Sequence, residues 1–62
     1  MNSYNQQKRL QEFIALADPD MKLNSLQLAE TAEDFHEFEN QEGEMSFDTF
    51  KERLEIRLSA KN

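Results

Sequence analysis

The stretch Leu23-Asn24-Ser25-Leu26-Gln27-Leu28 decides the fold, because these six residues spell out a complete helix start. Asn24 is the residue type that caps a helix N-terminus with its side-chain oxygen. Gln27, three positions on, reaches back to the cap's own N–H, and Leu23 is placed to staple against Leu28. The spacing predicts a helix over 25–39, with Leu28, Thr31, Ala32, Phe35 and Phe38 clustered on one face. Glu30, Glu33, Asp34 and Glu37 cluster on the opposite face.

Reading toward the C-terminus, Asn40-Gln41-Glu42-Gly43 brings the only glycine of the chain to where a helix would stop. Met45-Ser46 then repeats the starting logic. Ser46 is a cap, Asp48 sits in the first turn near the positive end of the helix dipole, and Met45 staples to Phe50. A helix over 47–59 follows, with Phe47, Phe50, Leu54 and Leu58 inward and Ile56 on the outer side. Reading toward the N-terminus, Leu10, Phe13, Ile14 and Ala17 recur at helical spacing behind a capping box at Ser3-Tyr4-Asn5-Gln6. Asp18-Pro19 ends that helix, since the residue before proline is biased away from helical backbone. The expected helices are therefore 3–17, 25–39 and 47–59.

Composition agrees with an all-α reading. Valine is absent and only two Ile and two Thr occur, which removes the β-branched residues that strands favour. Sixty-two residues make a single small three-helix domain with a core that supplies roughly 3–5 kcal/mol of net stability. The expected core comprises Leu10, Phe13, Ile14, Ala17, Leu23, Leu28, Ala32, Phe35, Phe38, Met45, Phe50, Leu54 and Leu58. There is no cysteine, so neither a disulfide framework nor a thiolate metal site supplements it. Without an apolar run of about 18 residues or a signal-like N-terminus, the chain is expected to be cytoplasmic and to have no membrane partner.

Charge is segregated along the chain. Between Leu23 and Phe50 lie eight carboxylates and no Lys or Arg, while all seven basic residues lie outside. The overall net charge of −6 thus divides into −8 in the middle and +2 on the flanks. So acidic a chain is expected not to bind nucleic acid directly. The flanking cations Lys8, Arg9, Lys51, Arg53, Arg57 and Lys61 read as partners for nearby acids, for example Lys51 with Glu55 at i+4.

Several segments resemble known motifs. Leu23-Asn24-Ser25-Leu26-Gln27-Leu28-Ala29-Glu30 resembles the Asp-Ser-Leu segment of acyl and peptidyl carrier proteins. That resemblance would make Ser25 the phosphopantetheine site and Glu30, Glu33 and Glu37 a docking face. It departs from that family at Asn24, where Asp is expected, and in the short loop before it. The segment from Phe38 to Thr49 resembles an EF-hand loop, but Phe38 and Thr49 stand where its strongest carboxylate ligands belong, so no metal is expected. Glu33 and His36 have the Glu-x-x-His spacing of di-iron bundles in a single copy, whereas such a site needs two. Leu26 to Ala32 resembles the opening helix of a helix–turn–helix reader, but the chain continues helically through acids that repel phosphates.

No nucleophile–base pair stands out, so the chain is expected to be non-enzymatic and without a cofactor. Like charges three and four residues apart on one helix repel, and helix 25–39 has no interleaved cation to offset them. The sequence therefore points to an acidic protein-binding module with Glu30, Glu33, Asp34, Glu37 and Ile56 as its contact residues. Its partner would be a basic protein surface, as for small phage- or plasmid-type inhibitors that occupy nucleic-acid-binding surfaces. The carrier-like reading through Ser25 is one alternative. A regulatory or assembly subunit forming a homo-oligomer through exposed Ile56, Leu26 and Tyr4 is another.

Overall fold

In the computed structural model, which describes residues 3–59, three helices follow one another: α1 over Ser3–Ala17, α2 over Ser25–Glu42 and α3 over Phe47–Ser59. The fold is an all-α three-helix domain. Two sequence expectations fall outside the described atoms: the side-chain cap at Ser3, and Lys61.

The start of α2 forms as its six residues dictate. Asn24 Oδ1 accepts from the Gln27 backbone N–H at 2.8 Å, and Gln27 Oε1 accepts from the Asn24 N–H at 2.9 Å. At α3, Ser46 Oγ accepts from the Thr49 N–H at 3.2 Å, and Asp48 occupies the first turn. The end of α1 is held by Asp18. Its carboxylate accepts from the backbone N–H groups of Lys22 and Leu23 at 2.9 and 3.1 Å, and its carbonyl from Met21 at 3.1 Å. Those bonds fix Met21 in left-handed backbone at φ 56°, an uncommon conformation for a side-chain-bearing residue.

Helix α2 runs one turn past the expected Glu39. Asn40 and Gln41 are tolerated in a helix, whereas Gly43 is not merely tolerated at the end but required there. Its φ of 101° with ψ of −164° belongs to a region essentially confined to glycine, and its N–H donates to the Glu39 carbonyl at 3.2 Å.

The core forms where the helices meet. Leu10, Leu23, Phe35, Met45, Phe50 and Leu54 are buried, and Phe13, Ile14, Ala17, Ala32, Phe38, Phe47 and Leu58 pack partly buried around them. Phe13 of α1 is the wedge: its ring centroid lies 6.1 Å from Phe35, 5.4 Å from Phe47 and 5.3 Å from Phe50. These edge-on and tilted pairs each add about 0.5–1.5 kcal/mol beyond their buried area. Leu28 departs from the expectation, for it is 37% exposed. Its turn is the first of α2, where Gln27, not Leu28, is turned inward by the capping box.

Candidate docking groove between the second and third helices

Helices α2 and α3 run antiparallel and are joined by two ion pairs in register. Arg53 makes a fork onto Asp34, with Nε to Oδ2 at 2.7 Å and the guanidinium's Nη2 to Oδ1 at 2.6 Å. One turn away, Arg57 Nη1 lies 3.3 Å from Glu30 Oε1. Residues four apart on a helix share a face, so acids at 30 and 34 and cations at 53 and 57 form two rungs of one ladder, about 6 Å apart along the axis. The Arg53 guanidinium also stands over the Phe38 ring, 5.2 Å from its centroid. Its hydrogen bonds hold the Asp34 carboxyl below the usual carboxylate range.

These rungs correct one premise of the sequence reading. The acids of α2 are not left without offsetting cations, because two of the four are neutralised from α3. The cations at 53 and 57 pair across helices, and Lys51 and Glu55 form no ion pair among the described residues. Glu33 and Glu37 stay exposed on α2 and make no ion pair among the described residues. Glu30/Asp34 and Arg53/Arg57 share an i,i+4 spacing that suits such a ladder, but the spacing alone does not choose the partners.

Beside the ladder lies an open groove of about 610 Å³ whose lining includes Leu26, Glu30, Asp34, Arg53, Ile56 and Arg57. The two apolar members are large and outward: Leu26 is 67% exposed and Ile56 65%. Ile56 also borders a shallower hollow lined by Glu52 and Glu55. The fold thus brings Glu30, Asp34 and Ile56 to one groove, while Glu33 and Glu37 lie on α2 outside its lining.

A second polar cluster joins α1 to α2. The Glu39 side chain is fully buried, and it accepts from Arg9, from the Met45 N–H at 2.8 Å and from Gln6 Nε2 at 3.2 Å. Gln6 Oε1 in turn accepts from His36 Nδ1 at 2.7 Å, a direction fixed because the Glu39 carboxylate can only accept. Burial alone raises the Glu39 carboxyl pKa, but the donors of Arg9, Met45 and Gln6 outweigh it and hold it below its ordinary value. From the sequence Glu39 is only the expected last residue of the second helix; its burial depends on α1 packing, which no local pattern reveals.

Ser25 is exposed at the first position of α2, and the adjacent Asn24 is engaged in the cap. Among the described residues no group of three or more His, Asp or Glu is placed to hold a metal ion, and no helix is long and apolar enough to cross a membrane. No family model matches the chain, and neither does any curated protein or solved structure.

Proposed function

We propose that the chain is a non-enzymatic protein-binding module that docks on a basic surface of a partner, as small acidic inhibitors of nucleic-acid-handling proteins do. The observation that supports this most is the pairing of exposed Leu26 and Ile56 on one groove, beside which Glu33 and Glu37 stand exposed on α2. Large apolar side chains brought together on one exposed groove and rimmed by polar residues are the mark of an interaction surface. Of the proposed contact residues, Glu33 and Glu37 steer the approach, whereas Glu30 and Asp34 serve chiefly to hold α3 against α2.

The test begins with capture of the partner from the native host and its identification. Its affinity is then measured against salt, against competing nucleic acid, and with Glu33→Gln/Glu37→Gln. Weaker binding by the double variant, a steep salt dependence and competition by nucleic acid support occupancy of a nucleic-acid surface. Binding indifferent to salt and to both substitutions would rule out electrostatic docking.

A further inference from the structure

The groove has properties that narrow what it can hold. Its inner polar groups already satisfy one another, since Glu30 faces Arg57 and Asp34 faces Arg53. What remains unpartnered is apolar surface at Leu26 and Ile56 and, around it, a surplus of negative charge. The two helices carry nine carboxylates against Lys51, Arg53 and Arg57, an excess of six negative charges, and Glu33, Glu37 and Glu52 stand exposed on them. A second copy of the chain brings its own net charge of −6 to that surface and is disfavoured. A basic occupant is attracted to it.

Shape narrows it further. From Leu26 to Asp34 the groove follows about 12 Å of helix axis, slightly more than two turns. The valley between two antiparallel helices is complementary to the side-chain ridge of a third, and a ridge at i, i+4 and i+7 covers about 10 Å.

We propose that the α2–α3 groove receives a short, basic amphipathic helix of the partner, seating its apolar ridge between Leu26 and Ile56 and its cations against Glu33, Glu37 and Glu52. The docked helix completes a four-helix arrangement. This rests on the protein-binding reading above and specifies the element recognised.

The experiment uses two synthetic helical peptides of roughly 15 residues. They share one Leu face; one carries Lys and the other Glu on the polar face. Each is titrated into the full isotope-labelled chain while amide shifts are followed. The Lys peptide is expected to move Leu26, Glu30 and Ile56, and the Glu peptide to move nothing. Ile56→Ser and Leu26→Ser, both exposed and checked by thermal melting, are expected to weaken the Lys peptide about tenfold. Binding of the Lys peptide that ignores both substitutions, or shifts that map away from α2–α3, overturns the groove while leaving electrostatic docking standing. Equal binding of both peptides, or a concentration-dependent dimer abolished by Ile56→Ser, overturns the basic occupant. The broader reading fails separately, through the Glu33/Glu37 variant and the captured partner.

Discussion

Glu39 of α2 and Arg9 of α1 form an ion pair in which the carboxylate side chain is 0% exposed and the guanidinium side chain 25% exposed. The carboxylate is thus the desolvated partner, and it also receives the Met45 N–H from the turn that precedes α3. One side chain therefore ties the first helix, the second helix and the start of the third. Glu39→Gln keeps the volume but removes the charge that Arg9 and the Met45 N–H address. We expect a loss of about 2 kcal/mol, below the full cost of an orphaned buried charge because Arg9 reaches water. With a urea m-value of about 1 kcal/mol/M for so small a chain, the unfolding midpoint should fall by about 2 M. An unchanged midpoint would show that the buried pair contributes nothing net.

The same geometry fixes how stability follows pH. Asp34 and Glu39 both have folded pKa values below their ordinary ones, Asp34 through the Arg53 fork and Glu39 through donors that outweigh burial. A depressed carboxyl contributes stability that is complete above the unfolded pKa and is lost as pH falls through the folded value. Melting temperature should therefore stay nearly level from about pH 7 to 5 and drop below about pH 4. Glu39→Gln/Asp34→Asn should flatten that acid limb. An equally steep limb in the double variant would place the titration elsewhere.

How much of this was legible in the sequence depends on range. The caps at Asn24 and Ser46, the stop at Asp18-Pro19 and most of the core rest on residues within a few positions of one another. Their periodicity carries them without knowledge of the rest of the chain. Arg53 over Asp34 and Arg9 on Glu39 join residues 19 and 30 apart, and no local pattern chooses those partners. Leu28 fails for a related reason: the helical period puts it near the core stripe, but in that turn Gln27 is the residue turned inward. For the groove, the outward placement of Ile56 and Leu26 was visible, but their convergence required the antiparallel register of α2 and α3.

Thr31 offers a gain in stability. It is 5% exposed, and its hydroxyl is buried without a hydrogen-bond partner among the described residues. An unsatisfied buried hydroxyl costs about 1–3 kcal/mol of desolvation, whereas valine fills nearly the same volume with methyls. Valine's slightly poorer fit to a helix returns a few tenths of that. Thr31→Val should raise stability by about 1 kcal/mol, read as a higher urea midpoint at unchanged m-value. A lower midpoint would show that the hydroxyl is satisfied in solution.

Gly43 tests the C-terminal stop. A Cβ there would meet nothing within 4 Å, so any penalty for Gly43→Ala comes from backbone conformation alone. At φ 101° an alanine is strained by about 1–3 kcal/mol. The substitution should lower the melting temperature while leaving the affinity of the Leu26–Ile56 groove for a basic helix unchanged. Loss of that affinity in a still-folded variant would couple the turn to the groove.

The four acids of α2 should divide by stability measurement alone. Asp34 accepts a two-bond fork from Arg53 but is partly solvated, with side-chain exposures of 23% and 42%, so solvent screening limits the pair to about 1 kcal/mol. Asp34→Asn should therefore destabilise by about that much, and less at high salt. Glu33 and Glu37 have no ion-pair partner among the described residues and stand four residues apart on one face, where like charges destabilise a helix by a few tenths of a kcal/mol. Glu33→Gln/Glu37→Gln should consequently leave stability unchanged or slightly higher. Acids that a fold would be no worse without are the ones a partner explains, and acids that hold α3 in place need none. If Glu33→Gln/Glu37→Gln destabilises the chain as much as Asp34→Asn, all four are structural and the case for electrostatic docking through α2 collapses.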